Sequence, residues 1–368
     1  MRTLTNMVDR LGDRYDFRII TRDRDGVAAK EPYSTVRIGE WNRVGNAQVY
    51  YLPPGQIRLR SVAKVVNSIS ADIFYLNSFF GRLSIIFKTL RKLNQVPARP
   101  LILAPEGEFS VGALTLKPIR KLLYIKYAKS LRLLSNVVWK AASELERAEI
   151  EDALGFGLQI YLAPNMPPRM INGDYEQDNK SLKIRGRGRF VFLSRFMQKK
   201  NLNWLLPHLK SITGELSLSI YGTIEDASYW LESVRTINEL PPNITVEARG
   251  PIAHAEVSKT LESYEFFILP TLGENFGHVF VEALASGCPL VISDRTPWRQ
   301  LEKSGIGWDI PLNEEDWVAV LNKCVAMNND EYQHMSTAAR SFAVSWLCDP
   351  SVESANVRVL NIALGELS

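Results

Sequence analysis

Cysteine and histidine are scarce in this 368-residue chain, which contains three of the first and four of the second. Cys288, Cys324 and Cys348 are too few and too scattered for a disulfide framework or a zinc site, so we interpret them as small core residues. The four histidines show no metal-ligand spacing. The sequence therefore excludes a disulfide-stapled scaffold and predicts no bound metal ion and no cofactor.

Long apolar runs are also missing. No segment approaches the roughly 20 apolar residues that span a bilayer, and the amino end has no signal-peptide pattern. We therefore expect a cytoplasmic protein. The net charge is only +4, and no nucleic-acid-binding module is recognisable, which argues against a nucleic-acid partner.

Short apolar runs alternate with helical patterns along most of the chain, which is typical of doubly wound parallel sheets and predicts an α/β fold. A length of 368 residues exceeds one ordinary domain, so we expect two domains of similar size. The polar, glycine-spotted segment from Ala163 to Arg189 separates two apolar regions and is the best candidate for the boundary. The predicted strands are DFRIITRD, AQVYYL, DIFYLNS, RPLILAP and NVVWKAAS in the first half, and RFVFLS, LSLSIYG, ITVEARG, YEFFILPT and CPLVISD in the second.

The most informative segment, PTLGENFGHVFVEALASGCPLVISD, runs from Pro270 to Asp294. It places two carboxylates, Glu274 and Glu282, around a glycine turn that opens a helix. Gly277 permits the tight turn, and Gly287 is a natural helix stop. Two glutamates eight residues apart are usually a solvated helix face, but the turn, the stop and the apolar runs on both sides favour a binding site.

The start of that helix is suited to an anion. The free amides of Gly277, His278 and Val279 point outward and, with the helix dipole, favour a diphosphate. Glu274 lies just before this position. Glu282 lies more than one turn into the helix, where its two oxygens are placed to accept hydrogen bonds from the paired hydroxyls of a ribose.

This segment resembles the Glu-x7-Glu motif of the retaining glycosyltransferases with the GT-B fold, most closely the large family 4. Asn275 stands where a glycine is common, and His278 is not the usual residue at its place. The residues that match are Glu274, Phe276, Gly277, Glu282, Ala283, Ala285, Gly287, Pro289 and Val291.

A second element has the sequence RFVFLSRFMQKKNLNWLLPHL, which predicts a buried strand, a turn and an amphipathic helix. Arg195 and Lys200 in the turn match an Arg and a Lys that, in the same family, hold the donor diphosphate. Breaking a sugar–phosphate bond loads negative charge onto the departing diphosphate, which two cations would stabilise. Taken alone, such residues are more often surface charges, but their position before the glutamate pair favours the binding role.

The resemblance implies two Rossmann-like domains facing across a cleft, with an acceptor domain at 1–163, a donor domain at 164–342 and a C-terminal helix at 343–368 that returns to the first domain. Pro164 to Pro168 would be the connection. The family begins with a strand and a glycine-rich loop, whereas this sequence opens on a helix, RTLTNMVDRLG, so that strand is expected to be missing.

The activity implied by the resemblance is a retaining, metal-independent transfer of a hexose from a nucleoside diphosphate to a glycan or a lipid-linked acceptor, as in bacterial surface polysaccharide assembly. No protein nucleophile is expected. The resemblance assigns Glu274, Arg195 and Lys200 to catalysis, and Glu282, Asn275, Phe276, Gly277, His278 and Gly222 to donor binding.

The acceptor side is marked by LAPEGEFSVGAL, which follows a predicted strand. Glu106, Gly107 and Glu108 would lie at the cleft edge, where the family often has a histidine that this sequence lacks. Glu106 and Glu108 are then the candidate acids or bases, and a purely structural loop is an equal alternative.

The first 152 residues carry a charge of +10 and the remainder −6. Much of the excess lies in LKPIRKLLYIKYAKSLRLL, from Leu116 to Leu134, where leucine, isoleucine and tyrosine are interleaved with six cations. Such a helix can lie on an anionic membrane surface, which would place the protein peripherally at the inner face of the membrane. An ordinary amphipathic helix with a solvated basic face is the alternative.

Two functions from other classes stay open. A sugar-nucleotide epimerase shares the architecture but is expected to carry acid and base groups around the sugar, and none is evident. A non-catalytic nucleotide-sugar-binding or scaffold protein is favoured by the expected absence of the first strand.

Overall fold

A computed structural model describes residues 2–24, 31–169 and 182–366 of the chain. The chain divides into two compact units, Met1–Arg169 with Asp349–Ser368, and Met170–Cys348. Residues 170–181, in the polar segment expected to separate the two domains, fall outside the described residues. Among the described helices, none is long and apolar enough to cross a bilayer.

The first unit contains two sheets. A small one has the strand order β1-β3-β2, with β1 parallel and β2 antiparallel to β3, and the other has the order β4-β5-β6-β7 and is parallel throughout. The elements are helices α1 (Arg2–Leu11), α2 (Leu59–Asn67), α3 (Arg82–Lys92), α4 (Val111–Leu114), α5 (Pro118–Ser130) and α6 (Glu144–Leu154), and strands β1 (Phe17–Arg22), β2 (Trp41–Val44), β3 (Ala47–Leu52), β4 (Phe74–Leu76), β5 (Leu101–Leu103), β6 (Val137–Ala141) and β7 (Ile160–Leu162).

The second unit is built on one six-stranded parallel sheet in the order β10-β9-β8-β11-β12-β13. The chain adds β9 and β10 on one side of β8 and then returns to its other side, so the topological switch point lies between β8 and β11. The elements are strands β8 (Arg187–Leu193), β9 (Glu215–Tyr221), β10 (Ile244–Gly250), β11 (Phe266–Leu269), β12 (Leu290–Ser293) and β13 (Gly307–Ile310), and helices α7 (Leu202–His208), α8 (Ala227–Asn238), α9 (Val257–Glu262), α10 (His278–Ala285), α11 (Glu314–Ala326) and α12 (Asn329–Leu347).

The core of the second unit explains why its strands are apolar on both faces. All four residues of β11 and all four of β12 are buried, because helices cover the sheet on each side. Strands β8 and β9 have the same character in their carboxyl halves. In such a sheet the loops that leave the carboxyl ends of the strands form the ligand-binding edge.

The carboxyl end of the chain differs from the expected single helix at 343–368. Helix α12 ends at Leu347, and a separate helix, α13 (Pro350–Leu364), follows. Pro350 disfavours a helical conformation at the residue before it, and the Asp349 side chain accepts a hydrogen bond from the Ser351 amide as the cap of α13. Helix α13 packs on the first unit, against α1 and the parallel sheet.

Candidate functional site

The loop after β8, which carries Arg195, is held against the loop after β9 by backbone contacts. The Ser194 amide donates to the Tyr221 carbonyl at 3.0 Å, and the Phe196 amide donates to the Thr223 carbonyl at 2.9 Å. Gly222 lies at the closest approach, with φ at +148°, and a Cβ there would stand 1.8 Å from the Ser194 carbonyl oxygen. Only glycine fits, so this residue fixes the position of the Arg195 loop.

Lys200 and Glu274 meet at the topological switch point. Lys200 closes the short 3-10 turn Gln198–Lys200 after β8, and Glu274 follows β11. The two loops are joined because the Lys199 carbonyl accepts a hydrogen bond from the Leu272 amide at 2.8 Å. Lys200 Nζ donates to Glu274 Oε1 in a direct ion pair, and the side chains are only 12% and 15% exposed.

The charge on Glu274 is maintained despite its burial. Burial raises the pKa of this carboxyl group, but the combined effect of Lys200, Lys199 and Arg195 outweighs it and holds the pKa below its usual range. A carboxylate and several cations therefore occupy the same small region. The cations can bind an anion such as a diphosphate, and the carboxylate can accept hydrogen bonds from a hydroxyl group.

Arg195 presents its guanidinium to solvent. Its Nη1 donates to Glu225 Oε1 at 2.8 Å, and the arginine side chain is more than half exposed. An ion pair of this kind contributes little to stability. Arg195 is thus available to exchange Glu225 for a more highly charged anion.

The turn before α10 is built by aromatic packing. Phe276 is buried between Trp298 and Trp346, and its carbonyl accepts a hydrogen bond from the Trp298 indole. Gly277 has φ at +77° and lies against the Phe280 ring, where a Cβ would clash. His278 begins the helix beside Phe276, with ring centroids 4.9 Å apart. Asn275, partly buried, completes the turn between Glu274 and Phe276.

Glu282 lies on the second turn of α10 and is buried, as are the five other residues from Phe280 to Ala285. Its Oε1 atom lies 3.8 Å from Nδ1 of His254, which is exposed in the 3-10 turn after β10. No local pattern in the sequence marks His254 as a site residue. Its partner, Glu282, is 28 positions away. Only the strand order, which places the end of β10 at the same edge of the sheet, could have identified this pair.

The predicted acceptor-side residues separate into two groups. Glu108 accepts hydrogen bonds from Ser78 Oγ and from the Phe79 and Phe80 amides, so its oxygens hold the turn before α3. Glu106 instead faces Asn165, whose Nδ2 donates to Glu106 Oε2 at 2.8 Å. The Gly107 amide donates to Glu146 Oε1 at 2.6 Å. Asn165, expected in the connection between the domains, is buried in the first unit.

Comparisons with known proteins add to this geometry. Residues 187–327 match the family described as Glycosyl transferases group 1. Among curated proteins, the GtfA subunit of a UDP-N-acetylglucosamine–peptide N-acetylglucosaminyltransferase from Streptococcus gordonii is 26% identical over 181 residues, which are 46% of this chain and 34% of that protein. The corresponding subunit from Streptococcus pneumoniae is 26% identical over 132 residues, 35% of this chain and 22% of that protein. The chain thus spans about a third or less of the length of these relatives.

Solved structures resemble nearly the whole chain. HepE of Anabaena, in complex with UDP and glucose, has a TM-score of 0.69 at 15% identity, and the match covers 100% of this chain and 95% of that one. Sucrose-phosphate synthase from Thermosynechococcus elongatus has a TM-score of 0.70 at 16% identity, covering 98% and 93%. WaaG, a glycosyltransferase of lipopolysaccharide biosynthesis, has a TM-score of 0.62 at 13% identity, covering 97% and 95%.

The predicted fold is confirmed by these neighbours, which are glycosyltransferases of the GT-B type. The family match falls on the unit that contains the switch-point loops and the glutamate pair. The chain has the GT-B fold, and its residues 187–327 match the family described as Glycosyl transferases group 1.

Proposed function

We propose that the protein transfers a hexose from a nucleoside diphosphate to a glycan or a lipid-linked glycan acceptor, with retention of configuration and without a metal ion. The observation that carries the proposal is the pairing of Lys200 with Glu274 at the switch point, with Arg195 on the neighbouring loop. The first unit would be the acceptor domain, and the second the donor domain.

Lys200 and Arg195 would bind the diphosphate and stabilise the charge that develops on it as the sugar leaves. One cation about 4 Å from a phosphate oxygen, at an effective dielectric constant near 20, contributes roughly 4 kcal/mol. Arg195 offers a planar fork and Lys200 a point charge. The amides at the start of α10, at His278 and Val279, would add hydrogen bonds to the same anion.

Glu274 would exchange its contact with Lys200 for the hydroxyl groups of the donor sugar, next to the amides of Phe276 and Gly277. Glu282 would accept hydrogen bonds from the ribose, with His254 beside it. No protein nucleophile is required, because departure and attack would share one face of the sugar. Catalysis would then come from positioning and electrostatic stabilisation.

UDP is the first nucleotide to test, because HepE is described in complex with UDP and with UDP-glucose, and the streptococcal relatives are named for UDP-N-acetylglucosamine. We would titrate the purified chain with UDP, GDP, ADP and CMP by calorimetry in the presence of a chelator. Saturable binding of one nucleotide, weakened at least tenfold by Glu282→Gln, supports a donor site. Glu315→Gln, which changes an exposed glutamate on α11, is the matched control.

Binding of no nucleotide would contradict the proposal. Unchanged affinity in Glu282→Gln would contradict the ribose role of that residue alone. Analysis of products made from the donor without an acceptor separates transfer from epimerisation, because only an epimerase would yield a second sugar nucleotide.

The acceptor would be presented at an anionic membrane surface, on its cytoplasmic side, and α5 would dock there. The first unit carries no acidic residue between Glu108 and Glu144, and α5 within that stretch buries little more than Ile125 and Ala128. Its other apolar side chains are exposed to an extent unusual for a folded protein, Ile119 by 73%, Leu122 by 54%, Leu123 by 61% and Tyr127 by 47%. Apolar residues in water among cations fit the interface of an anionic bilayer.

A further inference from the structure

The loop after β12, residues 294–299, is bonded to the turn before α10 at two points. The Glu274 amide donates to the Arg295 carbonyl at 3.1 Å. The Trp298 indole Nε1 donates to the Phe276 carbonyl at 2.5 Å. Strands β11 and β12 are parallel neighbours, so the loops that follow them leave the same edge of the sheet. The loop after β12 therefore fixes the backbone on both sides of the short segment between Glu274 and Phe276.

The position of Trp298 is in turn fixed by its own loop. The Trp298 amide donates to Thr296 Oγ1 at 3.2 Å, and Thr296 is only 1% exposed. The loop is closed by Arg299, whose Nη1 donates to the Asp294 carbonyl at 2.5 Å. Pro297, between the threonine and the tryptophan, restricts the backbone further. The indole is thus held in place by contacts within the protein alone.

The Trp298 ring is enclosed by four other aromatic side chains, whose ring centroids lie between 5.8 and 6.2 Å from its own. They are Phe276, Phe280, Phe342 and Trp346. Trp298 itself is buried. A buried indole N–H is nearly always paired, and its acceptor here is the Phe276 carbonyl. Because the bond lies in an apolar surrounding, it is costly to break.

This hydrogen bond determines the direction of a neighbouring amide. The peptide unit between Phe276 and Gly277 is planar, and in a trans peptide the C=O and N–H bonds point in opposite directions. Since the Phe276 carbonyl points to the buried Trp298, the Gly277 N–H points away from the aromatic cluster. Gly277 is partly exposed. No backbone carbonyl of the described residues accepts a hydrogen bond from its amide.

The same peptide unit could adopt a reversed orientation, because the residue after it is a glycine. Gly277 has φ at +77°, and glycine adopts positive and negative φ with similar ease. A turnover of the peptide unit would exchange the directions of the Phe276 carbonyl and the Gly277 amide. The bond from Trp298 stabilises one of the two orientations. Without it, the Gly277 amide would point outward only part of the time.

The neighbours of the Gly277 amide indicate what it would contact. Glu274, three residues earlier, is the carboxylate proposed to bind the hydroxyl groups of the donor sugar. A carboxylate only accepts hydrogen bonds and an amide N–H only donates them, whereas a sugar hydroxyl does both. The amides proposed for the diphosphate, at His278 and Val279, belong to α10 itself. Gly277 precedes the helix, on the side of Glu274.

We infer that Trp298 is a positioning residue for the hexose of the donor, because its bond to the Phe276 carbonyl directs the Gly277 amide to a sugar hydroxyl. Trp298 acts through the backbone and does not contact the sugar. This inference rests on the proposed function, since it concerns the same donor site. It predicts that Trp298 affects the binding of a sugar nucleotide more than that of the free nucleotide.

The test is calorimetric titration of the full chain with UDP, UDP-glucose and UDP-N-acetylglucosamine, in the presence of a chelator. Trp298→Phe keeps an aromatic ring in the cluster and removes the indole donor. The affinity for the UDP-sugar that the wild type binds should fall about fivefold or more in this variant, as expected for the loss of one hydrogen bond. The affinity for UDP should change less than about twofold, because the diphosphate and the nucleoside keep their contacts.

Trp317→Phe is the matched control. Trp317 is fully buried in the same unit, and its indole also donates to a backbone carbonyl, that of Pro311, at 3.0 Å. This variant should lower the unfolding temperature as Trp298→Phe does, but it should change neither affinity. A second test variant, Thr296→Val, removes the hydroxyl that holds the Trp298 amide and keeps the indole. It should weaken binding of the UDP-sugar selectively, and it serves as the test if Trp298→Phe does not fold.

Three results would overturn the inference while UDP still binds. They are an unchanged affinity for the UDP-sugar in both test variants, an equal loss of affinity for UDP and the UDP-sugar, and a selective loss of the same size in Trp317→Phe. Binding of UDP by the wild type without binding of either UDP-sugar would overturn it as well. Binding of no nucleotide at all would instead contradict the proposed function, and the inference with it.

Discussion

Lys200 donates a hydrogen bond to the Glu274 carboxylate, across 74 positions of sequence. Because both side chains are mostly buried, each one compensates the charge of the other. A donor diphosphate must therefore take Lys200 from Glu274, and the carboxylate released in this way is the group proposed to bind the sugar.

The first prediction separates stability from binding at this pair. Lys200→Met removes the cation that pairs directly with the Glu274 carboxylate, so the free energy of unfolding should fall by about 2–4 kcal/mol, as measured by urea denaturation. UDP affinity should fall at least tenfold.

The double variant Lys200→Met with Glu274→Gln is the control for this experiment. It removes both charges and should recover much of the stability while UDP binding stays weak. Recovery of UDP binding together with stability would show that Lys200 acts only through the fold.

The second prediction concerns Arg195, whose contact with Glu225 is exposed. Arg195→Met should change the free energy of unfolding by less than about 1 kcal/mol, because exposed ion pairs contribute little. It should weaken UDP binding about tenfold or more, since a charge-assisted hydrogen bond is lost. Calorimetry and denaturation measure the two effects.

Arg187 offers a matched comparison, because it lies at the opposite end of β8 and makes a similar exposed ion pair with Glu215, at 2.9 Å. Arg187→Met should leave UDP affinity unchanged. If both arginine variants weaken binding equally, the effect is one of overall charge and Arg195 has no specific role.

The third prediction tests α5 as a membrane-docking helix. We expect the protein to sediment with vesicles of phosphatidylcholine and phosphatidylglycerol but not with phosphatidylcholine alone. Leu122→Ser with Leu123→Ser should reduce sedimentation several-fold, because two exposed apolar side chains no longer enter the interface. Added salt should also reduce it.

Leu231 is the control for that experiment, since it is 60% exposed on α8 and belongs to the second unit. Leu231→Ser should not change sedimentation. Equal sedimentation of the α5 double variant and the wild type would contradict the docking role, and self-association detected by light scattering would assign α5 to a contact between copies instead.

The fourth prediction is a pH dependence of stability that arises from Lys88. Burial lowers its pKa to about 7 from 10.5, against the smaller opposing effect of Glu108. Between these two values the unfolded chain holds more protons than the folded one, so stability should rise with pH across that window. The rise between pH 7 and 9.5 would be about 3 kcal/mol.

Lys88→Met should remove this rise, as followed by urea denaturation at several pH values. In that variant the Phe79 carbonyl loses the hydrogen bond that it accepts from Lys88 Nζ at 2.7 Å. The free energy of unfolding at pH 7 should therefore increase by less than the titration of Lys88 alone would give. Lys92→Met, at an exposed lysine of the same helix, should keep the slope of the wild type. An identical slope in Lys88→Met would contradict the assignment.

Much of the fold could be predicted because its signals are local. The apolar runs at β8, β9, β11 and β12 are buried on both faces, and such runs can be recognised in a sequence. Strand β7 has three residues, and β2 has the sequence WNRV, so neither shows a clear alternation of apolar and polar residues. The end of α12 could have been predicted from Pro350, because a proline disfavours a helical conformation at the residue before it.

The site could be predicted only in part, because its contacts are long-range. Sequence spacing suggested Lys200 and Glu274 separately, but their pairing depends on the strand order, which places β8 beside β11. The hydrogen bond from Asn165 to Glu106, 59 positions apart, is likewise a long-range contact. Asn165 in particular was assigned to a connection, and nothing local distinguishes a buried asparagine from one in a linker.

The close approach at Gly222 also limits how the proposed donor site can be changed. The obstacle to a side chain there is the backbone of Ser194, which no rotamer change can move aside. Directed evolution of donor preference should therefore find no folded variants with a substitution at position 222. Libraries that leave this glycine intact and diversify its neighbour Thr223, together with Asn275 and His278, would keep the Arg195 loop in place while varying what the donor meets.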